Sequence, residues 1–264
     1  MNAPALPVMQ VDLERRFGAL RRLYGAEGYA RVRAARVCVV GVGGVGSWAA
    51  EALARSGVAS LTLIDMDHVA ESNINRQVQA LTPTLGAAKV EALRERVAEI
   101  HPGCVVHAVD EFVSPENWPA LLPAPVDAVI DACDQTQAKL ALAQWALAQP
   151  QVQQRVAFIT VGAAGGKQRA QDVSVEDLAA ATHDPLLASL RQRLRKLGAP
   201  RSGPMRLACV FSREPVVRPA GEDQDCDIEH NLNCHGYGSS VTVTATFGMV
   251  AAGEALRQIL ATGG

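Results

Sequence analysis

Gly41, Gly43, Gly44 and Gly46 interrupt an apolar run in VCVVGVGGVGSW, residues 37–48. The G-x-G-x-x-G spacing permits a tight turn and a close backbone approach to a ligand, and it leads into a helix N-terminus that receives phosphate oxygens. Asp65 and Asp67 close the next apolar run, SLTLIDMD, where an acid accepts hydrogen bonds from ribose hydroxyls. Up to this point NAD and ATP are served equally. The residues beyond separate them. Asn73, Arg76 and Gln77 follow the second strand, Lys89 lies near the start of the next helix, and Asp131 and Asp134 stand at the carboxyl end of a later strand, expected to face the same crevice. Two cations, two amides and a carboxylate exceed what a pyrophosphate crossing a glycine turn requires. They suit an ATP whose α-phosphorus is attacked: Arg76 and Lys89 stabilise charge developing on phosphoryl oxygens, and Asp134 anchors Mg²⁺. That set disfavours an NAD oxidoreductase. It also speaks against a nucleotide-binding sensor or scaffold without turnover.

The elements that must position these residues follow from pattern. Residues 36–64 read as strand, glycine turn, helix, strand, the first strand being a continuous apolar run suited to a sheet covered on both faces. The helix 47–56 ends at Gly57, a plausible left-handed cap. Residues 81–102 read as a helix capped by Thr82, with Pro83 in its first turn. Strands recur at 104–109, 128–133 and 157–161, with a helix at 137–148 between the last two. Strands alternating with helices predict an α/β fold, a doubly wound Rossmann-like sheet of mainly parallel strands. We expect residues 1–170 to form the ATP-binding core, with 171–264 as a C-terminal extension packed into the same unit.

In that extension, DPLLASLRQRLRKLG is amphipathic, with Leu186, Leu187, Leu190, Leu194 and Leu197 on one side and Arg191, Arg193, Arg195 and Lys196 on the other. The basic face is a candidate for nucleic-acid phosphates, weighed against an ordinary solvated face. Short strands are expected at 207–211 and 215–217, a long polar stretch over 212–240, and a closing helix from Val241. That helix holds the one membrane-like candidate, 241–253, about 20 Å long and short of a roughly 30 Å bilayer core. A buried helix is the better reading, and no membrane association is expected.

The chain has 264 residues, 48% hydrophobic and 20% charged, with a formal net charge of −2. These values fit a globular protein and exclude a general polyanion-binding surface, so any nucleic-acid contact must be local. Six cysteines (38, 104, 133, 209, 226 and 234) include no C-x-x-C pair, which argues for a reducing compartment and against a disulfide framework. The first residues lack a basic leader and a continuous apolar stretch. A cytoplasmic location is expected.

Taken in order, GVGGVGSWAAEALARSG, LIDMDHVAESNINRQ, GAAKVEAL and DACD resemble the ubiquitin-activating-enzyme-like superfamily, which includes the adenylyltransferases of molybdopterin and thiamin biosynthesis. The resemblance implies carboxylate adenylation with ATP and Mg²⁺. Asp65 would hold the ribose, Asn73, Arg76, Gln77 and Lys89 the phosphates, and Asp134 the metal. It also implies a homodimer. Two features depart from the biosynthetic adenylyltransferases: the paired C-x-x-C motifs are missing, and Ala19 stands where an arginine reaches the partner subunit's phosphates, leaving Arg21 or Arg22 as substitutes. RRFGALRRLYG, GAAGG, VEDLAAATHDPLLASLRQRLRK, LACVFS and NCHGYGSS are similar to a narrower branch, the tRNA threonylcarbamoyladenosine dehydratases. That branch implies adenylation of the threonyl carboxylate and intramolecular ring closure with release of AMP. A monovalent cation is a further implication, without assignable residues. The alternative is activation of the C-terminal glycine of a ubiquitin-like sulfur carrier.

Cys226, His230, Cys234 and His235 lie close in CDIEHNLNCH, but their spacing fits no common zinc motif. Related activating enzymes use a mobile-loop cysteine for thioester or persulfide chemistry, which makes Cys234 a candidate nucleophile and a sulfur-transfer protein a candidate partner. Ring closure by an internal nucleophile needs no covalent enzyme intermediate, so Cys234 is expected near the site and need not take part in the chemistry.

Overall fold

The computed structural model describes residues 11–149, 156–217 and 237–261. Its seven strands are β1 (Arg36–Val40), β2 (Ser60–Ile64), β3 (Val105–Val109), β4 (Ala128–Asp131), β5 (Ala157–Val161), β6 (Val173–Asp177) and β7 (Ala208–Ser212). They form one sheet in the order β3-β2-β1-β4-β5-β7-β6, all parallel except the β6–β7 pair. Along β1, Val37 and Val39 join a core with α3 (Gly46–Arg55), α4 (Lys89–Ile100) and α7 (Val241–Ala261). Cys38 and Val40 join a second core on the opposite face with α5 (Thr136–Ala148) and α6 (Pro185–Lys196). Helices on both faces explain why the central strands read as unbroken apolar runs.

α1 (Leu13–Phe17) and α2 (Ala19–Ala34) precede the sheet. No expectation covered them. Gly57 ends the α3 segment at φ +74, the left-handed conformation expected of it. α7 crosses α3 at its first turn: a Cβ on Gly248 would lie 2.4 Å from the Val45 carbonyl oxygen and 2.8 Å from Trp48 Cβ. The closing helix therefore buttresses the helix that carries the glycine turn. No helix of the described residues is long and apolar enough to cross a membrane.

Three expectations are corrected. The helix expected over 81–102 begins only at Lys89, and Thr82–Thr84 form a separate 3-10 turn. The intervening backbone bonds elsewhere: Gly86 N–H donates to Val69 O (2.9 Å), Val69 N–H to Ala87 O (2.8 Å), and Lys89 N–H to Asp67 O (2.9 Å). The second strand, read over the run SLTLIDMD as 60–67, stops at Ile64, where the chain turns with Asp67 N–H donating to the Asp65 carboxylate at 2.9 Å. Residues 215–217 form no strand, although Val217 N–H donates to Gly166 O at 2.8 Å. Conversely, the edge strand β6 was unforeseen, since its half-buried residues carry no clean alternation.

Candidate nucleotide site

Strand order reverses between β1 and β4, so a crevice opens at their carboxyl ends. A cavity of about 710 Å³ fills it. The glycine turn after β1 is its floor. Gly41 has φ +80, and a Cβ there would come within 2.9 Å of the Ala132–Cys133 backbone. At Gly46 a Cβ would lie 1.8 Å from Gly41 O, so these two glycines close the turn itself. Gly43 and Gly44 line the cavity along with Gly41, beside the side chains of Gln77 and Arg76.

Asp65 ties the turn to the wall. Its carboxylate accepts Val42 N–H at 2.8 Å and Asp67 N–H at 2.9 Å. Burial raises its carboxyl above the usual aspartate range, opposed by the Lys89 charge and the two amide donors. Lys89 is buried, and its ammonium donates to Asp67 Oδ2 at 2.7 Å. Arg76 donates to Ser72 O (2.6 Å) and Asn75 Oδ1 (2.8 Å), while Trp48 of α3 donates its indole N–H to Arg76 O (2.9 Å). Asn73 is buried and accepts Ala70 N–H at 3.1 Å. Gln77 accepts from Gln79 Nε2 at 3.2 Å, and that same nitrogen donates to Val42 O at 2.9 Å. Asp134 stands exposed on the rim, two residues before α5. Gly41, Gly43, Gly44, Asp65, Asp67, Asn73, Arg76, Gln77, Lys89 and Asp134 thus line one cavity, and Gly46 packs beneath it.

Among the described residues no group of three or more His, Cys, Asp or Glu side chains could hold a metal ion. The donors present fit Mg²⁺ in the manner usual for that ion, one exposed carboxylate with nucleotide phosphates and water completing the shell. Asp134 is the carboxylate so placed.

Two placements differ from expectation. Asp131 does not face the crevice. It is fully buried and paired with the fully buried Lys139, whose ammonium reaches Asp131 Oδ2 (2.8 Å), Val161 O (3.0 Å) and Thr160 Oγ1 (3.2 Å). Thr160 in turn donates to Asp131 Oδ2 at 2.7 Å. Burial pulls the Lys139 pKa down, but the charge and hydrogen bond of Asp131, together with other neighbouring groups, outweigh it and leave the pKa raised. The basic face of α6 is also less open than its pattern implied. The Arg191 guanidinium turns back to Leu178 O (3.1 Å) and Ala181 O (2.7 Å), Arg195 Nε is buried without a partner, and Arg193 is half-buried. Lys196 remains exposed.

Sequence reasoning missed the stretch after β3, where Glu111, Phe112 and Val113 line the cavity. It has no motif of its own, only a position at the carboxyl end of a strand. The wall formed by Gly162–Gly165, Pro185 and Leu186 was also missed. Cys133 lines the cavity, but burial and the neighbouring Asp131 hold its thiol protonated, with a pKa well above the ordinary value. Burial pushes Cys104 up to about 11 and Cys209 up to about 12. None of these is a ready nucleophile. Cys226, His230, Cys234 and His235 lie outside the described residues. Tyr237, three positions beyond Cys234, lines the cavity.

Known proteins share this architecture. The chain is 41% identical over 253 residues to the tRNA threonylcarbamoyladenosine dehydratase of Haemophilus influenzae, covering 94% of this chain and 95% of that one. It is 41% identical to the Escherichia coli protein of the same name over 256 residues, 93% and 94% of the two chains. The crystal structure of the Escherichia coli tRNA N6-threonylcarbamoyladenosine dehydratase in complex with ATP superposes with a TM-score of 0.83 at 40% identity, covering 96% of this chain and 97% of that chain. The model of the ThiF family matches residues 16–263. This chain therefore belongs to the ThiF family.

Proposed function

We propose that this protein is an ATP-dependent dehydratase of threonylcarbamoyladenosine in tRNA. The observation that carries the reading is the end-to-end likeness to dehydratases of that name, one of them solved with ATP, joined to a cavity lined by the residues expected to bind the nucleotide. A carboxylate at neutral pH is a poor electrophile. ATP converts the threonyl carboxylate to an acyl adenylate with loss of pyrophosphate. The neighbouring carbamoyl group then attacks the acyl carbon, closing a ring and expelling AMP, for a net loss of water from the nucleoside. Ring closure is intramolecular, so the protein has only to orient the group and keep water out.

Gly43 and Gly44 bring backbone close to the phosphates, Asp65 holds the ribose, Asn73 and Gln77 orient phosphate oxygens, and Lys89 and Arg76 stabilise charge at the α-phosphorus. Bound Mg²⁺ supplies charge neutralisation of the phosphates, with Asp134 holding it. Lys196 and Arg193 remain the contacts on α6 for tRNA phosphate. The protein acts as a cytoplasmic homodimer. Arg21 and Arg22 are both exposed; Arg21 pairs with Glu14 at 3.0 Å, which favours Arg22 as the arginine that would reach a partner subunit's phosphates. Cys234 is the point at which a sulfur-transfer protein would engage. Activation of a sulfur carrier is the weaker reading, because the chain lacks the paired C-x-x-C motifs of such enzymes.

The test incubates the protein with ATP, Mg²⁺ and tRNA bearing threonylcarbamoyladenosine, then digests the tRNA and weighs its nucleosides. The modified nucleoside loses the mass of one water only when ATP is present. An unchanged mass, alongside pyrophosphate exchange that depends on a ubiquitin-like carrier, overturns the reading.

A further inference from the structure

Gln77 lines the nucleotide cavity, and its amide presents either an oxygen or two N–H donors according to which way it is turned. The two orientations have nearly the same shape, so packing alone does not choose between them. An ionised phosphate oxygen accepts hydrogen bonds, and an outward carbonyl would repel it. A neighbour of Gln77 has to set its direction.

Gln79 is that neighbour. It is 1% exposed and does not itself line the nucleotide cavity. Its Nε2 donates to Val42 O at 2.9 Å and to Gln77 Oε1 at 3.2 Å, which uses both amide hydrogens. A backbone carbonyl only accepts, so Val42 decides the direction of the Gln79 amide. Reversed, that amide would set oxygen against oxygen at Val42. With its Oε1 engaged by Gln79, Gln77 keeps Nε2 for the cavity, and that nitrogen lies 3.9 Å from the point a Cβ on Gly43 would occupy. Direction thus passes from one carbonyl in the glycine turn, through two amides, to donors beside that turn.

Each member of the chain is held by its own neighbours. Val42 N–H donates to Asp65 Oδ2 at 2.8 Å, Gln77 N–H to Asn73 O at 2.9 Å, and Thr84 Oγ1 to Gln79 O at 2.7 Å. Gln79 Oε1 is buried without a partner among the described residues. An apolar side chain of the same length would leave no such orphan, so it is the nitrogen that accounts for an amide at this position.

We propose that Gln79 is a positioning residue for ATP: it fixes the direction of the Gln77 amide, so that Gln77 offers N–H donors and not its carbonyl oxygen to the nucleotide phosphates. The inference rests on the reading of the cavity as an ATP site and deepens it.

The experiment measures the Kd for ATP with Mg²⁺ by calorimetry, without tRNA, for wild type, Gln79→Met, Gln77→Ala and the double variant. Gln79→Leu stands beside Gln79→Met as a second apolar replacement, and thermal midpoints are read throughout. Nucleoside dehydration then gives kcat and the KM for ATP. Gln79→Met is expected to weaken ATP about tenfold, the order of one lost hydrogen bond to a charged group, with a midpoint within a few degrees of wild type. Gln77→Ala weakens ATP at least as much. In the Gln77→Ala background Gln79→Met adds less than about twofold, since no side-chain amide remains to direct. The same non-additivity appears in kcat/KM for ATP. Losses that simply multiply in the double variant overturn the proposal, because Gln79 then acts without Gln77. Unchanged ATP affinity in both Gln79 variants, or failure of both to fold, also overturns it. A wild type that binds no ATP overturns the proposal together with the nucleotide reading. Coupled losses of affinity without any dehydration sink the dehydratase reading and leave the role of Gln79 standing.

Discussion

Lys89 is held against Asp67 inside the cavity, so its charge is already desolvated and positioned before any phosphate arrives. A preorganised cation acts where charge develops. We expect Lys89→Ala to lower the rate of adenylation by about 10²–10³, with a smaller change in the KM for ATP. Pyrophosphate exchange measures both, and an effect confined to KM contradicts the role. The buried Asp131–Lys139 pair gives a second expectation. Lys139→Met leaves an uncompensated carboxylate in the core and costs about 3–5 kcal/mol, whereas the double variant with Asp131→Leu recovers much of it. Urea unfolding reads both, and a harmless single variant contradicts the assignment. At this scale the glycines, Asp65, Arg76 and Lys89 were legible because each needs one residue type at a fixed offset from a strand end. Asp131 was not. Its outward or inward direction depends on strand parity and on a lysine eight positions away, neither of which a motif displays.

Individual helices dock through contacts that hydrophobic pattern alone does not encode. The ring of Phe17, on α1, lies 4.7 Å from that of His101, which ends α4. Arg33 of α2 donates to His101 Nε2 at 3.0 Å and to Gly57 O. Because Arg33 can only donate, His101 accepts as neutral imidazole. Burial lowers its pKa from the ordinary 6.5, and the Arg33 and Arg16 charges lower it further. The unfolded chain therefore takes the proton first. The stability His101 contributes is complete above about pH 6.5 and drains away as pH falls below it toward the depressed native value. Thermal melts across that window should show a steeper acid loss for wild type than for His101→Gln, and parallel slopes contradict this. α3, α5 and the core of α6 were legible from their apolar spacing. The start of α4 was not, because the backbone of residues 86–89 bonds to the 67–69 stretch, a tertiary choice that propensity cannot foresee.

For the molecule as a whole, one sheet organises everything from β1 to β7. The residues after 170 extend it through β6 and β7 and return α7 to brace α3. The doubly wound class was readable because strands and helices alternate through residue 161. The return of the chain was not, since an edge strand and a long polar stretch leave little periodicity. This architecture brings Asp65, Asn73, Arg76, Gln77 and Lys89 into one cavity with the Gly162–Gly165 wall. The central claim is that the substrate carboxylate itself attacks ATP. It is tested most directly with tRNA whose threonyl carboxylate carries a heavy oxygen isotope. With both carboxylate oxygens labelled, adenylation followed by ring closure breaks one bond between the acyl carbon and oxygen, so the released AMP carries one label while the cyclised nucleoside keeps the other. Unlabelled AMP formed together with dehydrated nucleoside contradicts carboxylate activation.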